Sequence, residues 1–314
     1  MIWRPAALDD AAAIADHSRR IHEAERLDFL PSEGFMRWLM SQPGVEPESD
    51  MLVAEKEGAV VADAGVWTHG GDRGARCFIW GEASPGHEHL KPFLIGWAEA
   101  WARQRLAEFP DELERVIRVA VEEHRRAHRK VLEEAAFEPA RTFAEMVRPL
   151  TDLPEAPLLP ADVEVRPWLP DLDEAVRLAK NESFADHWGS LPMAPKEWSG
   201  NYRESPTFRP DLSFVALAGD EVVSFCLCEV DDEDNAHRDT NDVYLQRIGT
   251  RRRHREQGLA THLIVRSLEA AQALGGLDRA ALEVDEMSHT NATLVYERLG
   301  FSTSARSIHY IKTL

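Results

Sequence analysis

The chain repeats itself at about half its length, and nothing else in the sequence constrains its fold as strongly. Trp3-Arg4-Pro5, followed by an Asp- and Ala-rich helical stretch, returns as Val165-Arg166-Pro167 followed by Asp171, Asp173 and a second helical stretch. Leu52-Val53-Ala54 before Val60-Val61 returns as Phe214-Val215-Ala216 before Gly219-Asp220 and Val222-Val223, a strand-turn-strand signal in both places. Val131 to Phe137 matches Val295 to Phe301, and each copy closes about thirteen residues later, in Leu150 or Leu314. Each copy therefore reads as a strand, one or two helices, a β-meander, a strand, a long helix, a strand, a helix and a last strand. That order describes a mixed α/β domain present twice. Between the copies, prolines at 154, 157 and 160 favour an extended linker, which places the expected domains at 1–150 and 161–314 with the linker at 151–160.

Charge and composition narrow the function. Fifty-five acidic and 36 basic residues leave a net charge of −19, which repels a phosphate backbone and excludes nucleic acid as the expected partner. No apolar run approaches the roughly 18 residues of a membrane span, so no membrane partner is expected. The N-terminus shows no basic stretch followed by an apolar one, and the expected location is the cytoplasm. Cys77, Cys226 and Cys228 lack metal-ligand spacing. They are expected as core thiols, with no metal site.

In the second copy, Glu221 to Glu229, Val243 to Thr250 and Arg279 to Val284 are predicted strands. Gly258 to Leu274 is a predicted amphipathic helix, and Thr290 to Leu299 a short helix stopped by Gly300. The junction from Ile248, Gly249 and Thr250 through Arg255, Glu256, Gln257, Gly258, Leu259, Ala260 and Thr261 carries the chemistry. A helix starting near Gly258 offers unpaired N–H groups and a positive dipole end, and the small Gly258 and Ala260 let an anion come close. Arg251, Arg252, Arg253 and Arg255 make this the expected landing place for a polyanion in an otherwise acidic protein.

With Asn291, Ala292, Tyr296 and Leu299-Gly300-Phe301 downstream, the second half resembles the GNAT superfamily of acyl-CoA-dependent N-acyltransferases. Arg255-x-x-Gly258-x-Ala260 is similar to that family's pyrophosphate loop, and Asn291 to Phe301 to its following helix, whose tyrosine faces the CoA sulfur. The duplication is similar to the family's tandem members, in which a segment like Asn181 to Gly189 flanks the substrate. The resemblance implies two tandem domains, each a mixed, mostly antiparallel sheet flanked by helices. It also implies acetyl-CoA as co-substrate, a small-molecule amine as acceptor, and a pantetheine arm pairing with Ile248 and Thr250. One chain is expected to act as a monomer that holds its own pseudo-dimer. The alternative is a non-catalytic acyl-CoA-binding or regulatory protein on the same fold.

Tyr296 is then the expected acid for the departing thiolate. Many family members carry a glutamate where this chain has Tyr244. Strand alternation puts Asp242, Tyr244, Gln246 and Ile248 on one face, so Asp242 is expected to serve as base through a water, with Glu283 the other candidate. In the first copy Pro85, Glu88 and Leu90 stand opposite Arg255, Gly258 and Ala260, while Ala127 and Leu132 stand opposite Asn291 and Tyr296. That copy is expected to be a degenerate scaffold.

Overall fold

The computed structural model describes residues 1–27, 30–42, 44–288 and 291–314, and its two compact units do not follow the sequence halves. The first unit comprises residues 1–143 and 305–314, the second 144–304. The closing strand of the second copy is thus counted mainly with the first unit, while that of the first copy is divided evenly between the two. Sequence likeness follows duplication, whereas compactness follows which edge the last strand covers, and only the former is visible as a repeat. Residues 151–160, expected as a linker between domains, lie within the second unit, where Leu153, Ala156 and Leu159 pack on its core.

The first unit runs β1 (Ile2–Pro5), α1 (Ala11–Glu25), α2 (Glu33–Met40), α3 (Pro47–Asp50), β2 (Met51–Lys56), β3 (Ala59–Gly71), β4 (Gly74–Ala83), α4 (Lys91–Leu106), β5 (Arg115–Glu122), α5 (Arg126–Glu134) and the start of β6 (Glu138–Pro149). The second adds β7 (Val163–Pro167), α6 (Asp173–Ser183), α7 (Pro195–Asn201), β8 (Phe214–Ala218), β9 (Glu221–Glu229), α8 (Asp232–Arg238), β10 (Asp242–Thr250), α9 (Leu259–Leu274), β11 (Arg279–Asp285) and α10 (Ala292–Arg298). A last strand, β12 (Ser302–Thr313), pairs antiparallel with β5 from Ser307↔Glu122 to Thr313↔Val116.

Within each unit the sheet is mixed and mostly antiparallel, as expected. β1, β2, β3 and β4 form an antiparallel meander with β5 added parallel, and β7, β8, β9 and β10 repeat that pattern with β11 added parallel. No helix among the described residues is long and apolar enough to cross a membrane.

The second sheet carries cores on both faces. Cys226, Cys228, Val243 and Leu245 pack against Leu259, Leu263, Ile264, Leu268 and Ala271 of α9, the stripe its periodicity predicted. On the opposite face Val222, Phe225 and Leu227 meet Val176, Ala179, Trp198 and Tyr202 from α6, α7 and the residue after it. Cys77, Cys226 and Cys228 are buried free thiols, the last two on one face of β9.

Candidate active site

The site begins where two strands part. β10 and β11 pair in parallel only over Asp242, Val243 and Tyr244 against Arg279, Ala280 and Ala281. Beyond that point β10 stays bonded to β9 as far as Thr250, while β11 runs on to Asp285, so a wedge opens between them. The Gly249 carbonyl accepts from Ser224 Oγ at 2.9 Å on the β9 side. Backbone groups alternate in direction along a strand, so those of Ile248 and Thr250 point into the wedge, where an extended ligand can pair with them. Gly249 has no room for a side chain: a Cβ there would stand 2.4 Å from Phe225 Cζ and 2.6 Å from Ser183 Oγ.

A bulge changes which residues share a face. Leu245 stands opposite Cys228 and Arg247 opposite Leu227, which leaves Gln246 unopposed. Ile248 accordingly packs on the α9 face with Val243 and Leu245, rather than beside Tyr244 as strict alternation predicted. Arg247 takes the place in line with Tyr244 and faces Tyr202.

At the wide end of the wedge the chain turns into α9. Glu256 (φ 64°) and Gly258 (φ 77°) lie in the left-handed region, and Gly258 is the N-cap of the helix. Among the described residues the backbone N–H groups of 256–261 make no hydrogen bond within the protein. Six donors at a helix N-terminus are an arrangement that can receive an anion.

The arginines do not belong to that cradle as free charges. Arg251 is paired with Glu182, Arg253 with Glu221, and Arg252 and Arg255 with Asp186, the last two at 3.0 and 3.1 Å. Arg255 also donates to the Ser183 carbonyl at 2.9 Å, tying the loop to the end of α6. Hydrogen bonds from Arg255, ahead of the opposing effect of burial, hold the Asp186 carboxyl down at about 2. Long-range pairing of this kind cannot be read from a run of arginines. The cluster acts mainly to fasten the loop, which leaves binding to the N–H groups.

Tyr296 lies on α10, half-buried against the α9-face core that also holds Cys226 and Ile248, with Phe301 edge-on at 6.1 Å. Burial pushes its phenol well above the ordinary range, so it stays protonated, and its hydroxyl has no hydrogen-bond partner among the described residues. Asn291 is the N-cap of α10, exposed and left-handed at φ 51°. The predicted first residue of that helix, Thr290, lies outside the described residues. Gly300 (φ 84°) stops the helix as expected, with the Phe301 N–H returning to the Tyr296 carbonyl at 3.0 Å.

Asp242 does not stand free to act as a base. Its side chain is 4% exposed and receives both Arg279 Nε and Nη2, at 2.8 and 2.7 Å. Position explains this: it lies at the closed end of the wedge, in register with Arg279 itself. Glu283 is exposed on β11 and faces Tyr244 and Arg247.

Residues that sequence reasoning passed over gather on the α6 and α7 face. Lys180 is buried, with Nζ donating to the Leu191 carbonyl at 3.1 Å, and burial followed by the nearby Arg247 lowers its ammonium to about 8. Glu229 ends β9 directly opposite Tyr244. The available signal was an acid closing an otherwise apolar strand, but its cross-strand partner depends on register.

The first unit has the same wedge, and it is filled. β4 and β5 pair in parallel only from Ala75↔Arg115 to Phe78↔Arg118, while β4 continues to Ala83. Across the gap Arg125 bonds Glu82 of β4 at 2.8 and 2.6 Å and Glu122 of β5 at 3.0 Å. It also reaches Glu25 at 2.7 Å, and Lys91 joins Glu25 at 3.0 Å. A charge network occupies the place a ligand's arm would need.

Comparison with known proteins agrees with this geometry. Residues 174–301 match the profile of the acetyltransferase (GNAT) family. The chain is 35% identical over 174 residues to the mycothiol acetyltransferase of Streptomyces scabiei, covering 54% of this chain and 53% of that protein. It is 33% identical over 175 residues to the mycothiol acetyltransferase of Thermobispora bispora, covering 54% and 57%. The chain spans about half the length of the curated relatives it matches. In fold it is similar to a GCN5-related N-acetyltransferase from Sphaerobacter thermophilus, with a TM-score of 0.77 at 22% identity over 99% of this chain and 95% of that one. A tandem GNAT protein from the clavulanic acid biosynthesis pathway gives 0.72 at 15% identity over 99% and 98%. The second half of the chain thus carries a domain of the GNAT acetyltransferase family.

Proposed function

We propose that the chain transfers an acetyl group from acetyl-CoA to the primary amine of a small molecule, at one site in the second unit. The observation that carries this reading is the meeting of three features along one wedge. The Ile248 backbone and the Thr250 N–H of β10 suit a pantetheine arm, the N–H groups of 256–261 suit a diphosphate, and a protonated tyrosine without a partner among the described residues suits a thiolate leaving group.

In this mechanism the pantetheine lies along Ile248 and Thr250, with the diphosphate on the loop from Arg255 to Thr261 and Asn291 near the arm. Arg255 acts by holding the loop to α6. The amine approaches from the α6 and α7 face and attacks the thioester carbonyl carbon. Tyr296 then gives its proton to the sulfur as the C–S bond breaks. The relatives' name puts mycothiol-related amines first among acceptors to try.

Thiol release from acetyl-CoA tests the proposal against cysteinyl aminosugars, aminoglycosides, polyamines and amino acid amides. Release with one of them is expected, falling roughly 10- to 1000-fold in Tyr296→Phe while acetyl-CoA affinity holds. Tight acetyl-CoA binding without release for any amine would indicate a sensor instead. Unchanged turnover in Tyr296→Phe would return that residue to the core.

A further inference from the structure

Acyl transfer to an amine needs a group that takes the ammonium proton, and Tyr244, the β10 residue at the vertex of the wedge, carries no carboxylate. Asp242, the nearest acid on the same strand, has both oxygens held by Arg279. The register supplies another carboxylate. Glu229 is the direct cross-strand neighbour of Tyr244, and Tyr244 is the last β10 residue paired with β11, so Glu229 stands beside the vertex of the wedge. It is on the face covered by α6 and α7, in line with Phe225 and Leu227, and it is half-buried rather than sealed. Among the described residues it has no ion-pair partner within 4.0 Å; its Oε2 accepts a single hydrogen bond, from Thr207 Oγ1 at 3.2 Å.

We infer that Glu229 is the general base of the transfer, a carboxylate presented from β9 beside the vertex of the wedge. This rests on the acyl-transfer reading above. Glu229 accepts a proton from the incoming ammonium and passes it to solvent, and the freed lone pair forms the C–N bond. The C–S bond breaks as Tyr296 protonates the sulfur; Glu229 then takes the second proton from the acylated nitrogen, which returns through solvent to the Tyr296 phenolate. The products are the amide, the free CoA thiol and one proton released to solvent, with both residues restored.

The surroundings suit the task. Arg247 and Tyr244 face Glu229 from β10, Tyr202 from the end of α7, Thr207 from the preceding loop, and Asp231 and Asp234 from the entry to α8. Glu283 reaches the same group through Tyr244 and Arg247. Burial raises the Glu229 carboxyl, Arg247 partly offsets that, and the result is about 7. A base there is deprotonated above neutrality and lost as the pH falls through that value.

The test measures thiol release against pH for the parent, Glu229→Gln and Glu229→Asp, using acetyl-CoA and whichever amine of the panel is fastest, with acetyl-CoA affinity measured in parallel. The parent is expected to show a kcat limb near pH 7. Glu229→Gln should lose roughly 10²- to 10⁴-fold in kcat, lose that limb and keep its acetyl-CoA affinity. Glu229→Asp, one methylene shorter, should recover part of the rate and a shifted limb. A parent that turns over while Glu229→Gln retains both rate and limb would overturn the assignment and leave acyl transfer standing. Equal loss in both variants, without recovery by Asp, would likewise reject a base at this position. No release by the parent with any amine would overturn the transfer reading itself, and the base with it.

Discussion

Replacing Arg125 by Met should expose how the first unit keeps its wedge closed. The Arg125 side chain is 4% exposed and joins Glu25, Glu82 and Glu122. Met keeps much of the volume and removes the charge, leaving three carboxylates facing Lys91 and His128. Breaking a buried ion network from one side costs about 3–5 kcal/mol, because the remaining charges stay desolvated without compensation.

The pH dependence follows from Glu82. Burial alone would raise its carboxyl, but His128, Arg125 and Lys91 hold it at about 2, against an ordinary 4.5. In the parent that contribution is complete above 4.5 and disappears as the pH falls toward 2. In Arg125→Met burial prevails, the folded-state value rises, and protonation relieves the damage, so the deficit should be larger at pH 7 than at pH 5. Because the chain has two units, global unfolding would blur the effect, and hydrogen exchange of β4 and β5 peptides is the better assay. Those amides should exchange about 10²- to 10⁴-fold faster at pH 7, after correction for intrinsic rates. Less than a tenfold change, or an equal deficit at both pH values, would refute the reasoning.

Two other substitutions probe the second unit. Gly249→Ala should cost about 1–3 kcal/mol, read from hydrogen exchange of β9 and β10 peptides, since the buried Phe225 ring cannot yield the missing space, and Phe225→Leu in the same chain should restore part of it. Acetyl-CoA affinity of the parent should be nearly indifferent to salt from about 0.05 to 0.3 M, because the loop arginines are already paired; Asp186→Asn, which uncovers Arg252 and Arg255, should make the dependence steeper.

Much of this site was legible in the residues. Gly258 before an apolar stripe at helical spacing marked the start of α9, and Gly300 marked the end of α10, because a left-handed cap leaves a sign in the sequence. The bulge at Gln246 leaves none. One unopposed residue reverses the period-2 alternation after it without altering composition, so Ile248 was expected on the wrong face; Asp242 was misjudged for another reason, since its pairing with Arg279 depends on the register of β10 against β11. Register across strands hid Glu229 for the same reason, since its neighbour Tyr244 lies 15 positions away. The arginine run looked like binding charge until its partners on α6, in the turn after it and on β9 were known. The place of the last strand was equally hidden, because the repeat that reveals duplication does not say that β12 pairs with β5.

Calorimetric titration with acetyl-CoA tests the central claim most directly. The account predicts one site per chain in the parent and none in Gly258→Glu, where a carboxylate at the head of α9 meets the diphosphate, with Arg125→Met gaining no second site at neutral pH. Two equivalent sites in the parent, or undiminished binding by Gly258→Glu, would contradict it.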